Sequence, residues 1–121
     1  PALLSYNNTM KKNSEFHDYV LYDLLGNDPR ITSRKMFGGH ALYQDGAIFA
    51  LIIEDTLYFK VDDTNREEFS SRGSKPFQYD NGTKIITVNY WEVPEEITEN
   101  RDALFEWVNI SANISRASKK K

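Results

Sequence analysis

The sequence predicts an α+β fold: two layers, a five-stranded antiparallel sheet with helices, in the order α-β-β-β-α-β-β-α. Three observations carry that expectation. Apolar residues recur at helical spacing near the two ends, at Phe16, Tyr19, Val20 and Leu24 and again at Leu104, Trp107, Val108, Ser111, Ala112 and Ser115. Between those ends the pattern changes to extended runs rich in β-branched and aromatic residues. The runs are joined by short turn signals, Asp45-Gly46, Glu54-Asp55 and Asp80-Asn81-Gly82, which link antiparallel strands and are far too short for parallel crossovers.

Taken in order, residues 1–12 show no clean period and read as an irregular lead-in. Asn13 or Ser14 suits an N-cap, Glu15 suits the positive end of the helix dipole, and Gly26 suits a left-handed C-terminal cap, so a helix is expected over about 14–25. Asn27-Asp28-Pro29 forbids its continuation. Ile31 to Phe37 is extended, and His40 to Gln44 continues the run. Gly38-Gly39 between them permits a bulge, a sharp bend or a close backbone approach. Ala47 to Ile53 is apolar on both faces, as a strand covered on both sides requires. Strict alternation puts Phe49, Leu51 and Ile53 on one face and Ile48, Ala50 and Ile52 on the other. Thr56 to Val61 alternates with Leu57, Phe59 and Val61 inward and Tyr58 and Lys60 outward.

Asp62 or Asp63 can cap a short helix over about 64–72 with Phe69 as its core residue and Gly73 as its end. Phe77–Tyr79 and Lys84–Trp91 form a second hairpin. In the longer strand Ile86, Val88 and Tyr90 share one face, and Ile85, Thr87, Asn89 and Trp91 share the other. Val93 to Ile97 reads as a turn or a single helical turn with Pro94 at its start. Asn100 caps the last helix, whose stripe of apolar and small residues is narrow. Residues 118–121 read as a frayed tail.

At 121 residues the chain is the size of one domain, expected to span 1–121, and its 40% hydrophobic and 27% charged composition is ordinary for a globular protein. Aromatics at 13% point to a core anchored on rings. With no cysteine, disulfides, thiolate metal sites and a cysteine nucleophile are excluded. No apolar run approaches the ~20 residues that cross a bilayer. The cytoplasm is therefore the default compartment. A net charge of -3 argues against binding nucleic acid by electrostatics alone.

The residues also carry a resemblance. Arg34-Lys35-Met36-Phe37-Gly38-Gly39, Tyr43-Gln44-Asp45-Gly46, Phe49-Ala50-Leu51-Ile52, Leu57 to Asp62, Pro76-Phe77-Gln78-Tyr79 and Tyr90 to Glu96 occur in an order and spacing that resemble the N-terminal domain of the TfoX/Sxy family, bacterial regulators of natural competence. The resemblance covers about Ser14 to Ala117. It implies an α+β fold similar to the secretion-chaperone-like class and a role, through protein contacts, in activating competence genes. Full-length members often carry a second, helical C-terminal domain, which nothing after Ile114 could form. The family offers no catalytic residues to carry over.

The candidate site is accordingly a partner-binding surface: Arg34, Lys35, Phe37, Gly38, Gly39, Tyr58, Tyr90 and Trp91. Successive N–H groups beside glycines can form an anion-binding nest, set against a plain solvated strand edge. The set Ile48, Ala50, Ile52, Tyr58, Thr87 and Trp91 is expected on the face away from the helices, where an apolar patch needs a partner unless the last helix folds across it. The expected partner is a protein, the transcription machinery or a second copy of the chain, with no membrane, metal or cofactor. Direct nucleic-acid binding through Arg34, Lys35, Arg72, Lys75, Lys84, Tyr90 and Trp91 is the alternative. A small-ligand site or an enzyme is the third reading. His17 and His40 have no recognisable motif partner. The pairs Asp62-Asp63, Glu67-Glu68 and Glu95-Glu96 point apart on their elements. No serine lies in a G-x-S-x-G context. The expectation is therefore a domain without catalysis.

Overall fold

The structure, a computed structural model, describes residues 15–36 and 38–119, with side chains described through Ser118. The expected lead-in over 1–12, the caps at Asn13 or Ser14, and Phe37 lie outside the described residues. The elements are helix α1 over 15–24, strands β1 (Ile31–Met36), β2 (Gly39–Gln44), β3 (Ala47–Ile53) and β4 (Thr56–Lys60), helix α2 (Arg66–Ser70), strands β5 (Pro76–Asp80) and β6 (Ile85–Glu92), and helices α3 (Glu95–Thr98) and α4 (Arg101–Lys119). All strand pairs are antiparallel in one sheet of order β1-β2-β3-β4-β6-β5. The class is the expected α+β, but the sheet has six strands rather than five.

The double glycine makes the sixth strand. Gly38 has φ +76°, a left-handed conformation that reverses the chain, so Ile31–Met36 and Gly39–Gln44 pair as a hairpin with Met36 opposite Gly39. Gly39 has a different reason for being glycine. A Cβ there would lie 1.9 Å from the carbonyl oxygen of Ile52 on β3. One glycine turns the chain and the next lets two strands meet, so a single long strand becomes two.

The other turns follow their chemistry. Asp45 and Gly46 sit at φ 49° and 83°, as a type I′ turn requires. Asn81 Oδ1 accepts hydrogen bonds from the N–H groups of Thr83 and Lys84 at 3.0 Å each, closing the β5–β6 connection. Helix α1 ends as expected at Gly26 (φ 64°) in a left-handed cap, with Asn27 N–H donating to Leu21 O at 2.8 Å, one residue wider than the usual six-to-one bond. Its last six residues, Tyr19–Leu24, are wound as a π-helix. The wider turn shifts the apolar stripe: Val20 and Leu25, five residues apart, are both fully buried, while Tyr19 is 47% exposed.

One face of the sheet carries the main core. Leu42, Phe49, Ala50, Ile52, Leu57, Phe59 and Val61 from the strands meet Val20, Leu25, Phe69, Leu104, Trp107, Val108 and Ala112 from the helices. Phe49 and Phe59 pack edge to face at 5.6 Å between centroids. Helix α4 uses the stripe its sequence shows, Leu104, Trp107, Val108, Ser111, Ala112 and Ser115, all buried. The small residues let it lie close enough for two hydroxyls to reach strand carbonyls: Ser111 Oγ donates to Lys60 O at 2.8 Å and Ser115 Oγ donates to Ile48 O. Buried Gln44 completes the clamp, donating to Asn109 Oδ1 at 2.8 Å and accepting from Arg116 at 3.0 Å. The helix is capped by Asn100, whose Oδ1 accepts from Ala103 N–H at 3.1 Å. It runs through Lys119, so Ser118 and Lys119 of the expected loose tail are helical.

The alternation expected for β3 fails at one point. Pairing slips between β2 and β3, with Leu42 opposite Ala50 but Tyr43 opposite Ile48, so Phe49 is the extra residue of a β-bulge. A bulge inverts the phase of everything before it. Phe49 therefore joins Ala50 and Ile52 in the helix-covered core, and Ile48 joins Leu51 and Ile53 on the far face. Ala50 and Ile52, expected outward, are inward. No helix among the described residues is long and apolar enough to cross a membrane.

Candidate functional site

Among the described residues, no helix covers the far face of the sheet. Helix α4 packs on β3 and β4 from the other side, so it does not fold across this face. The uncovered face is built by one side chain in two from each strand. Ala41, Leu51 and Ile53 form its floor, and Met36, Tyr43, Ile48, Tyr58, Phe77 and Tyr90 lean over them. Leu51 and Ile53 are thus buried by a fringe of rings rather than by a second layer of structure. Tyr58 meets Phe77 edge to face at 5.3 Å, and Phe77 stacks on Tyr79 at 6.1 Å. Between β3 and the β5–β6 hairpin the fringe stops short. A groove of about 520 Å³ opens there, lined by Leu51, Ile53, Phe77, Tyr79, Val88 and Tyr90. That is within the size range of ligand and side-chain pockets, ~300–1,000 Å³.

Charge on this face is sparse. Cross-strand partners share a face. Among the described strand residues, that places Arg34 (opposite Ala41), Lys60 (opposite Tyr90) and Glu92 (opposite Tyr58) here. Both cations lie over phenol rings, Arg34 at 5.7 Å from the Tyr43 centroid and Lys60 at 5.8 Å from the Tyr90 centroid. Burial, then the neighbouring Tyr43, push the Tyr90 phenol up to about 12. Burial likewise raises Tyr58, with Glu92 adding to it. Both phenols are therefore neutral hydrogen-bond donors at any physiological pH.

The residues singled out from the sequence divide between the two faces. Arg34, Tyr58 and Tyr90 come together on the open face. Trp91 must point the opposite way from Tyr90, and it packs against the helix-side core. Lys35, opposite His40, faces the α1 side. Gly38 and Gly39 serve the hairpin described above, and Phe37 lies outside the described residues. Of the wider outward set, Ile48 and Tyr58 are on the open face, whereas Ala50, Ile52, Thr87 and Trp91 are not. The groove-lining residues that the sequence reading did not single out are Leu51, Ile53, Phe77, Tyr79 and Val88. The signal that could have found them was the shared phase of Val88 with Tyr90, once β6 was placed beside β4.

The histidines do meet. His17 and His40 stack at 4.1 Å between ring centroids, where α1 crosses the β1–β2 hairpin. His17 Nδ1 lies 3.1 Å from Asp18 Oδ1 and its Nε2 lies 2.9 Å from Ser33 Oγ. Burial, then the neighbouring His17 and Lys35, lower the His40 imidazole, with Asp18 opposing. A serine, imidazole and carboxylate in series can relay a proton only beside a site for the reacting atom. Here the second face of His17 is occupied by the His40 ring, and the series ties α1 to β1. Among the described residues, no group of three His, Asp or Glu side chains is placed to hold a metal ion.

Two comparisons with known proteins bear on the chain. The sequence profile described as TfoX N-terminal domain matches residues 23–114. A curated relative, the DNA transformation protein TfoX1 of Aliivibrio fischeri, is 31% identical over 87 residues, which is 72% of this chain and 42% of the relative. The matched chain thus spans less than half the length of that relative. The matched interval contains every element that builds the open face.

Proposed function

The chain belongs to the TfoX N-terminal domain family, and from that premise we propose that it is a non-catalytic protein-docking domain of a cytoplasmic regulator of competence or transcription, with the open sheet face as its docking surface. The relative's name ties that protein to DNA transformation, and the proposal extends the same process to this chain. One observation carries the docking role. Among the described residues the six strands are roofed by helices on one side, and the other side presents a ring-fringed apolar groove that nothing in the described chain fills. A contiguous exposed apolar patch on a soluble domain is costly unless it meets a partner.

The test is affinity capture from extracts of a transformable bacterium, with quantitative mass spectrometry. Protein recovered by the wild-type chain should fall at least fivefold with Val88→Asp or Tyr79→Glu and should persist with Ile110→Glu, a change on the exposed side of α4. Equal recovery by all four chains, each folded, would end the proposal.

Direct nucleic-acid binding is the second reading. The Arg34–Tyr43 and Lys60–Tyr90 pairs favour it, because cations beside rings suit phosphates and stacked bases. The net charge of -3 weighs against it.

A further inference from the structure

We propose that Asn81 is a self-modification site: in the folded chain its side-chain amide is converted to aspartate and isoaspartate through a cyclic imide formed with the backbone nitrogen of Gly82. The pair lies in the exposed turn between β5 and β6, just beyond Tyr79 of the groove.

Such a reaction needs a backbone nitrogen that can reach the side-chain carbon of the residue before it. Every other asparagine of the chain precedes a residue that carries a side chain; Asn81 alone precedes glycine. Gly82 has φ +99°, a conformation that L side chains rarely adopt, and a Cβ placed on it would meet nothing within 4 Å. The nucleophile therefore stands in open space. Asn109 and Asn113 offer the contrast, since the residues that follow them lie inside helix α4, where backbone N–H groups are held in the helical ladder.

Three residues around the pair act on the reacting atoms. Asp80 Oδ1 accepts the Gly82 N–H at 2.8 Å, so a carboxylate is already bonded to the proton that the nucleophile must lose. Asn81 Oδ1 accepts from Thr83 N–H, Thr83 Oγ1 and Lys84 N–H, each at 3.0 Å. Those donors converge on the oxygen that becomes negative when Gly82 N adds to Asn81 Cγ, the arrangement of an oxyanion hole. Turn chemistry alone asks for one such acceptor contact; here the nucleophile's proton and the developing charge are both met.

The Gly82 N–Cγ bond forms as the Gly82 proton passes to Asp80 and the charge settles on Oδ1. The Cγ–Nδ2 bond then breaks, and Nδ2 takes the proton from Asp80 and leaves as ammonia into the water around this exposed turn. Water opens the imide at either carbonyl. One opening gives aspartate with the main chain unchanged. The other gives isoaspartate, with an extra methylene in the main chain. Both products set a new carboxylate next to Asp80. The isoaspartate also lengthens the loop closed by the 3.1 Å bond from Asn81 N–H to Lys84 O.

The experiment incubates the folded chain at mildly alkaline pH and follows each asparagine by peptide mapping with electron-transfer fragmentation, which separates aspartate from isoaspartate. The expected result is conversion at Asn81 at least tenfold faster than at Asn27, Asn89 or Asn109, with both products formed. Asp80→Ser keeps an acceptor for the Gly82 N–H but lacks the carboxylate. It should slow the conversion at least threefold in the folded chain and match the wild type when both are unfolded in urea. An Asn81 that stays an amide, or converts no faster than Asn27, overturns the site. Equal rates for folded Asp80→Ser and folded wild type, with unchanged circular dichroism, overturn the proton-accepting role of Asp80 and the mechanism with it.

Discussion

The two faces of the sheet are made from the same strands yet solve burial in opposite ways. On the covered face a long helix with small residues in its stripe lies close, and its hydroxyls satisfy strand carbonyls at Lys60 and Ile48. On the open face the described residues that shield the floor are side chains of neighbouring strands, the rings of Tyr43, Tyr58, Phe77 and Tyr90 with Met36 and Ile48. The large side chains of the covered face pack on one another in the main core. The open face has spent its rings on partial cover and keeps a groove. The difference teaches where stability resides and where binding can occur, and substitutions can test whether that division is real.

The largest contrast should come from matched truncations. Phe59→Ala, in the covered core and fully buried, should cost about 3–5 kcal/mol. Tyr79→Ala, on a residue 47% exposed at the groove, should cost no more than about 0.5–1 kcal/mol. Urea unfolding with a common m-value checks both. Similar losses from the two would mean that the faces are not divided as described.

The glycines give the next contrast. Gly39→Ala forces a Cβ onto the Ile52 carbonyl, where only backbone can yield, and should cost about 1–3 kcal/mol or more. Gly38→Ala meets nothing within 4 Å and pays only for its left-handed conformation, about 1 kcal/mol. Thermal unfolding of the pair should rank them in that order. A smaller loss at Gly39 would contradict the close β2–β3 approach.

Smaller still is the loss of a single hydroxyl. Ser111→Ala removes the donor to Lys60 O and should cost about 0.5–1.5 kcal/mol, read by the same denaturation. A neutral or stabilising outcome would show that this hydroxyl does not help to hold α4 on the covered face.

Titration separates the faces as well. The His40 imidazole is lowered in the fold, so the unfolded chain takes up its proton first. Stability from this group is intact above pH 6.5 and declines as pH falls below it, toward the lowered folded value. His40→Gln should flatten that decline. Tyr90 has the opposite sign. Its phenol is raised from 10.0 to about 12, so the unfolded chain ionises first and stability falls as pH climbs through that interval. Tyr90→Phe should reduce this alkaline slope, leaving the part that comes from the raised Tyr58 phenol. Slopes unchanged in either variant would place the burial elsewhere.

Much of the covered face was legible from residues alone. The α4 stripe, the Asn100 cap, the Gly26 cap, the Asp45-Gly46 turn and the alternation of β4 all follow from local periodicity and turn chemistry, and each is local in sequence. What local pattern could not specify was phase and adjacency. The bulge at Phe49 depends on the register of β2 against β3, and it sends Ala50 and Ile52 inward and Ile48 outward. The hairpin at Gly38 depends on Gly39 having the Ile52 backbone beside it. The π-turn in α1 shifts its stripe to Val20 and Leu25. The groove depends on β6 lying between β4 and β5, a choice among sheet orders that the alternation of β6 leaves open. Arg34, Tyr58 and Tyr90 were therefore identifiable as candidates. Their company with Leu51, Ile53, Phe77, Tyr79 and Val88 required the fold.

The division between a sealed face and a docking face is tested most directly by methyl-detected NMR of the chain titrated with the protein it captures from extract. Shifts confined to the methyls of Ile48, Leu51, Ile53 and Val88, with Leu104, Val108 and Ala112 unmoved, are the predicted result. Shifts centred on the α4 surface, with the open-face methyls unmoved, would contradict it.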